Sequence, residues 1–259
     1  MIPIKTDAPL YHPPIATLGL ILINCLVHVL VIAAGGVPDL FCLQFGQLNP
    51  VQWFSSLFLH VGIVHLIGNM IFLWTFGMIV EGKVGLKRFL LIYLLVGMTE
   101  STISQLLMLG GSGAAVGASG AIFGLLAISL VWSPKNELTV VFLVCFYPLV
   151  FDITVLMFGF VTIGWEFIQE FLLIGVTKGK VVASSAFFHI LGALVGFAVG
   201  WWMLKNRHVD CEGFDLVSVW SGNEGRRVVT LEEESLRKKR KVERQEWLGA
   251  ERKKAASSI

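Results

Sequence analysis

The chemical potential of this 259-residue chain lies in a few polar side chains set inside apolar runs. The stretch Gly117-Ala118-Ser119-Gly120-Ala121-Ile122-Phe123-Gly124 puts a serine between small residues at the head of one such run. Small residues at helical spacing also serve close helix packing in membranes, so the stretch alone has two readings. A second run offers a base. His189 is followed by Gly192, Gly196 and Gly200, and these four positions share one helix face. Gly117, Gly120 and Gly124 repeat that spacing. Two glycine faces let backbones approach closely, and such an approach would bring the Ser119 hydroxyl within reach of the His189 ring. A serine beside a neutral histidine is an activated nucleophile. His65 and Asn69, four residues apart, lie about 40° apart around a helix. They could hold a developing oxyanion; alternatively they cap loop backbone or bond across helices.

Other polar groups are assigned plainer roles. His60 precedes His65 by five residues with Gly62 between, so it cannot share their face and is expected in the loop as a structural residue. Helical zinc pairs use i,i+4 spacing with a carboxylate nearby. Here the spacing is wrong and no acid is close, so neither a metal site nor a cofactor is expected. Glu166 and Glu170, one turn apart, read as inter-helix hydrogen bonding or a lateral polar contact. No carboxylate is evidently placed to orient His189, so the pattern reads as a Ser–His dyad rather than a triad. Cys25, Cys42, Cys145 and Cys211 show no C-x-x-C spacing and read as small buried hydrophobes, not as a disulfide framework or zinc site.

These side chains need a scaffold, and composition indicates its class. The chain is 55% apolar and 15% charged, with a mean hydropathy of +0.76. That is too apolar for a soluble domain of this length and implies a polytopic membrane protein. The net charge of +2 hides an asymmetry, because thirteen of the 20 Lys and Arg residues fall at or after Lys205. Six runs are expected to cross: 15–34, 63–80, 88–108, 119–133, 161–176 and 183–204. The first is longer than the apolar core of a signal peptide, about 7–15 residues, and is read as a retained helix. Between it and the second, residues 35–62 form a connection rich in bulky apolar side chains, expected to pack into the interface or against lipid, with Trp53 in an interfacial aromatic belt.

Loop charges orient the spans. Lys83, Lys87 and Arg88 mark the connection after the second span as inside. The 35–62 and 109–118 connections are then outside, and Lys135 is inside. The apolar stretch 138–158 is broken by Pro148 and Asp152 and holds the β-like run Thr139–Val144. If it crossed, the basic tail would lie outside and Ser119 and His189 would sit at opposite faces. It is therefore expected to be an interfacial or re-entrant insertion, with only Lys178 and Lys180 dissenting from the charge rule. The domain plan is a cytoplasmic segment 1–14, a six-span domain 15–204, and a charged cytoplasmic tail 205–259. In the tail, Thr230-Leu231-Glu232-Glu233 reads as a helix-capping box, and 249–259 reads as disordered. The tail helix is either a solvated surface element or one drawn to anionic lipid.

Together these residues resemble the rhomboid family of intramembrane serine proteases. The resemblance covers about Pro14 to Asp215 and rests on three motifs in order: His60-x4-His65-x3-Asn69, Gly117-x-Ser119-Gly120 and His189-x2-Gly192-x3-Gly196. It implies an all-α polytopic membrane protein, a six-transmembrane-helix rhomboid-like bundle with a soluble C-terminal tail. By resemblance Ser119 is the nucleophile and His189 the general base. The side chains of Asn69 and His65 and the Ser119 backbone N–H would form the oxyanion hole, with His60, Gly117, Gly120, Gly192 and Gly196 in support. Phe123 matches a position whose ring packs on the catalytic histidine, and Glu81 and Gly85 resemble the family's E-x-x-x-G. Three departures bear on substrate access more than on catalysis: Phe188 where alanine is common, Trp53-Phe54 in place of a Trp-Arg pair, and the 138–158 insertion.

The expected activity is endopeptidase cleavage of transmembrane segments through an acyl-enzyme. The expected partners are transmembrane substrates and the lipid bilayer, with no nucleic acid. Both termini would be cytoplasmic and the site would open to the outer side, as in a bacterial cell membrane. A non-catalytic relative that binds or escorts membrane proteins is the alternative, against which the intact Ser119 and His189 argue. A small-solute transporter is less well supported, since no inverted repeat is visible.

Overall fold

The computed structural model describes residues 1–144, 147–177, 183–226, 231–232, 234–236 and 238–243. In chain order the elements are β1 (Ile2–Thr6), α1 (Ile15–Ala33), β2 (Leu43–Gln44), α2 (Pro50–Ser55), α3 (Ile63–Val84), α4 (Leu86–Leu107), β3 (Ala114–Ala115), α5 (Ser119–Trp132), β4 (Glu137–Val144), β5 (Tyr147–Thr154), α6 (Val155–Val176), α7 (Ser185–Lys205) and α8 (Leu216–Trp220). The fold is a mostly helical membrane bundle. Among the described residues, α1, α3, α4, α6 and α7 are long and apolar enough to cross a bilayer.

The sixth expected span is different in kind. Helix α5 has only 14 residues, a rise of about 21 Å against a hydrocarbon core of about 30 Å. It ends at Trp132, just before Ser133-Pro134. Because 12 of its 14 residues are buried, it is enclosed by protein rather than lipid. Its neighbours are α3, α4, α6, α7 and the short α8.

The α5–α7 contact is the closest in the bundle. A Cβ on Gly192 would land on the Gly120 carbonyl, and one on Gly196 on the Gly124 carbonyl. One on Gly200 would meet Ile128 Cα at 3.2 Å. Trp132 Nε1 then donates to the Gly200 carbonyl at 2.9 Å and closes the seam. The two helices therefore run parallel. Continuing the same step from Gly196 and Gly192 toward the start of α7 brings His189 level with Gly117, within a turn of Ser119.

At the opposite end of the bundle, one carboxylate ties α3 to α1. Pro14 caps α1 without a side-chain bond, leaving first-turn N–H groups unsatisfied. Buried Glu81 takes them: its carboxylate accepts from Ala16 N at 2.8 Å, Thr17 N at 2.7 Å and Thr17 Oγ1 at 2.7 Å. Negative charge is favoured there by the helix dipole. Gly85, at φ +76°, then turns α3 directly into α4. This gives the E-x-x-x-G spacing a structural meaning.

The stretch expected as an insertion before span five is a β-hairpin. Strands β4 and β5 pair antiparallel from Glu137–Thr154 to Val144–Tyr147, and β1 adds to β4 with Ile2 opposite Val141 and Thr6 opposite Leu138. Polar residues lie at its base, where Thr139 Oγ1 donates to Asp152 at 2.7 Å. Toward the tip, Phe142, Leu143, Tyr147, Leu149, Val150 and Phe151 are exposed. Span five therefore starts at Val155 rather than at 161, because Thr154 caps α6 by accepting from Met157 N at 3.1 Å. The apolar run is continuous through that boundary, so hydropathy could not mark it. β1 is held against α3 by Thr75 Oγ1, which donates to the Pro3 carbonyl at 3.0 Å.

The first connection packs inward. Leu43, Phe45, Leu57 and Leu59 are buried, and Gln105 of α4 organises it. Gln105 Oε1 accepts from Trp53 Nε1 at 2.6 Å and Asn49 N at 3.1 Å, while its Nε2 donates to the Gln44 carbonyl at 2.8 Å. Trp53 thus belongs to a hydrogen-bonded protein contact. The tail docks on the other end through Arg88–Glu232 at 2.6 Å and Lys135–Glu224 at 2.5 Å, and Arg207–Glu234 at 3.5 Å links two parts of the tail itself. Thr230, Glu233 and residues 249–259 of the tail, together with Cys145, Lys178 and Lys180, lie outside the described residues.

Glu81→Ala should leave the α1 N-terminus uncapped in an apolar setting. The expected loss is about 2 kcal/mol or more, from charge-assisted hydrogen bonds worth about 1.5–3 kcal/mol each before relaxation. It is read as a lower melting temperature in detergent, with Glu81→Gln falling between the variant and wild type.

Candidate active site

The short α5 recesses its own first residue. Ser119 opens the helix, half-buried, on the wall of a cavity of about 650 Å³ at the end opposite the tail. At about 30 Å³ per molecule, that volume holds on the order of 20 waters. His65, Asn69, Phe123, Glu166 and His189 line the same cavity. The structure therefore brings together α3, α5, α6 and α7 at one place.

Each side chain is set by local packing. Gly117, just before α5, has φ +131°, which favours glycine. A Cβ there would stand 2.9 Å from His65 Cε1 and 3.7 Å from Asn69 Nδ2. The absent side chain lets α3 present these two groups to the cavity beside Ser119. Gly117 N also donates to the Ser56 carbonyl at 2.9 Å, fixing the loop. Asn69 is buried, and its Nδ2 has no acceptor among the described residues. Ser119 N belongs to the first turn of α5, where N–H groups lack an intrahelical acceptor and the dipole is positive.

His189 is held flat. Its ring stacks on Phe123 with centroids 4.0 Å apart and planes 6° apart. Phe123 lies one turn after Ser119, and a helical side chain covers the turn before its own Cα. The imidazole therefore sits over the turn that carries the serine. On the other side, His189 Nδ1 lies 3.1 Å from Glu166 Oε1 of α6. The sequence assigns Glu166 an inter-helix hydrogen bond or a lateral polar contact, which agrees with this α6–α7 pairing, but does not name His189 as the partner. Helical spacing placed Glu166 and Glu170 on one face of α6, but could not say that this face meets His189.

The remaining candidates are supporting. His60 is buried in the loop before α3, its ring edge-on to His65 at 5.1 Å. Burial first, then the imidazoles of His65 and His28, lower His60 to about 4, so it stays neutral near pH 7. Gly120 faces buried Glu100, whose Oε2 would lie 2.7 Å from a Cβ there. Phe188, where alanine was the expected residue, stacks on Phe45 of the first connection at 6.0 Å and helps line the cavity. Further down, Phe72 and Phe76 of α3 meet Phe158 of α6 at 5.8 and 5.7 Å.

Residues 47–206 match the description Rhomboid domain. The chain is 43% identical over 83 residues to Rhomboid protease GluP of Bacillus subtilis (strain 168), covering 32% of this chain and 16% of that protein. It is 32% identical over 154 residues to RHOMBOID-like protein 4 of Arabidopsis thaliana, covering 60% of this chain and 34% of that one. It is 30% identical over 129 residues to Presenilin-associated rhomboid-like protein, mitochondrial, of Homo sapiens, covering 46% and 34% respectively. The chain spans about a third or less of the length of these relatives.

The buried His60 carries a pH signature. Its folded value lies below the roughly 6.5 of a free imidazole, so the unfolded chain gains the proton first as pH falls. The stability associated with neutral His60 is therefore complete above about 6.5 and is lost toward pH 4. Melting temperatures in detergent should decline across that interval, and His60→Gln should flatten the decline.

Proposed function

The chain belongs to the rhomboid family, and on that premise we propose that it is an intramembrane serine endopeptidase acting on transmembrane segments of membrane proteins. One observation carries the proposal: Ser119, the Phe123-stacked His189, and the Asn69 and His65 side chains line one cavity of about 650 Å³ at one end of the bundle. Ser119 Oγ attacks the scissile carbonyl as its proton passes to His189 Nε2. The oxyanion is held by Asn69 Nδ2, His65 and the Ser119 N–H, donors fixed before the charge develops. His189 returns the proton to the leaving amine, and water hydrolyses the acyl-enzyme. A helical substrate has its peptide bonds hydrogen-bonded internally, so it must unwind locally at the cut.

Orientation follows from charge. Lys83, Lys87, Arg88, Lys135, Lys205 and Arg207 lie at the ends of helices away from Ser119. That end, with the tail docked on it, faces the cytoplasm by the positive-inside rule, and the cavity opens on the other side. The stretches 1–14 and 205–259 are then cytoplasmic flanks of a catalytic domain over 15–204.

The test is reconstitution with a transmembrane substrate weakened by Gly or Pro. Wild type should cleave it and Ser119→Ala should not, while Asn69→Ala should lower kcat by about a hundredfold. Chelators should leave the rate unchanged. Cleavage surviving in Ser119→Ala, or absent from wild type, overturns the reading and favours a binding or escort role.

A further inference from the structure

Helix α6 is exposed along most of its length, yet its second half turns two carboxylates inward. After Gly159, Glu166 and Glu170 are its buried residues, while Trp165, Phe167, Ile168, Phe171 and Leu172 are exposed. Charged groups in a spanning helix are costly unless they face the bundle and find partners. Glu170 finds Ser184: the Ser184 hydroxyl donates to Glu170 Oε2 and accepts from Phe187 N at 3.0 Å, capping α7. One turn earlier on α6, Glu166 reaches His189, which lies in the second turn of α7. The Glu170 contact thus sets the height at which Glu166 meets the imidazole.

The ring has three neighbours of different kinds. Phe123 fixes its plane, Ser119 shares its cavity, and Glu166 Oε1 stands 3.1 Å from Nδ1. Among the described residues Nδ1 has no other acceptor. Its N–H is not aligned on the oxygen as in a formed hydrogen bond, and such contacts commonly tighten only when substrate binds. Glu166 Oε2 accepts from Gln169 Nε2 at 3.3 Å, which steadies the carboxylate.

We infer that Glu166 is a positioning residue for His189, completing a Ser119–His189–Glu166 triad. The inference rests on the reading of His189 as the general base. A carboxylate on Nδ1 keeps the proton there, leaves the Nε2 lone pair for the Ser119 proton, and stabilises the imidazolium that forms. As Ser119 Oγ bonds to the carbonyl carbon, the carbonyl π pair moves to oxygen and the Ser119 proton moves to Nε2. That proton then goes to the leaving nitrogen as the C–N bond breaks, and Glu166 keeps its charge throughout.

Two readouts on the full chain in detergent test this: kcat and KM on the transmembrane substrate, and the rate of Ser119 labelling by a fluorophosphonate. The labelling probe is small and soluble, so it reports serine reactivity without requiring a substrate helix to pass α6. Glu166→Gln should lower kcat at least about tenfold with KM nearly unchanged, and slow labelling in proportion. Glu166→Asp, which keeps the charge on a shorter arm, should fall between Glu166→Gln and wild type. Labelling of Glu166→Gln at the wild-type rate overturns the inference, even if cleavage falls, because the contact would then serve only helix docking. If Glu166→Gln does not fold, Glu166→Asp decides: slower labelling supports the inference and an unchanged rate overturns it. A wild type that neither labels nor cleaves overturns the protease reading itself, and the triad with it; a reactive wild type with an indifferent Glu166→Gln overturns the triad alone.

Discussion

The backbone contact between α5 and α7 is the constraint on which the rest depends. Gly120 and Gly124 on one helix meet Gly192 and Gly196 on the other, carbonyl against Cα, with no side chain between. In a bilayer there is little hydrophobic force between helices, so close van der Waals packing of this kind holds them. The contact has two geometric effects. It allows α5 to be short and wholly enclosed, which recesses its first residue. It also fixes the height of α7, which brings His189 to the level of Ser119. Any side chain in that seam would separate the helices and, with them, Ser119 and His189.

A second pattern concerns buried charge. The interior carboxylates are few, and those described here each sit where a backbone or a neighbouring helix needs them. Glu81 caps α1, Glu170 bonds the cap of α7, and Glu100 accepts from Ser104 at 2.7 Å while lying against Gly120. Each offsets its desolvation cost by taking N–H or O–H donors. Glu81 and Glu170 thereby fix helix ends, whereas Glu100 bonds within α4. The cavity is lined by polar groups from α3, α5, α6 and α7.

Much of this was legible in the residue pattern, for identifiable reasons. Glycine spacing and single polar residues in apolar runs are local signals, and they pointed to Ser119, His189, Asn69 and His65 before any geometry. The family could likewise be read from three ordered motifs. What was not legible depends on rotation and depth. Glu166 stands in a helix that is apolar nearly all round, so its sequence does not reveal which face turns toward α7. The length of α5 was overestimated by one residue only, but its consequence, a recessed serine, follows from neighbours that extend past it. The 138–158 stretch was read as non-crossing with extended character. Its pairing with residues 2–6 could not be seen, because β ladders join segments far apart in sequence.

That ladder has a temporal side. Ile2 pairs with Val141 and Thr6 with Leu138, so β1 must wait for a strand made more than a hundred residues after it. Until then β1 has neither its hydrogen-bonding edge nor, with Asp7, the contact at Glu137 N. Helices α1, α3 and α4 can enter the membrane meanwhile, and the segment preceding α1 has only its contacts with α3, at Thr75 Oγ1 and the Gly82 carbonyl, to hold it. Closure of β1 onto β4 is a long-range step of the kind that slows folding. Because β4 follows α5 in the chain, this ladder can form only after the segment that carries Ser119 has been made, and its closure then ties the two ends of that segment's scaffold together.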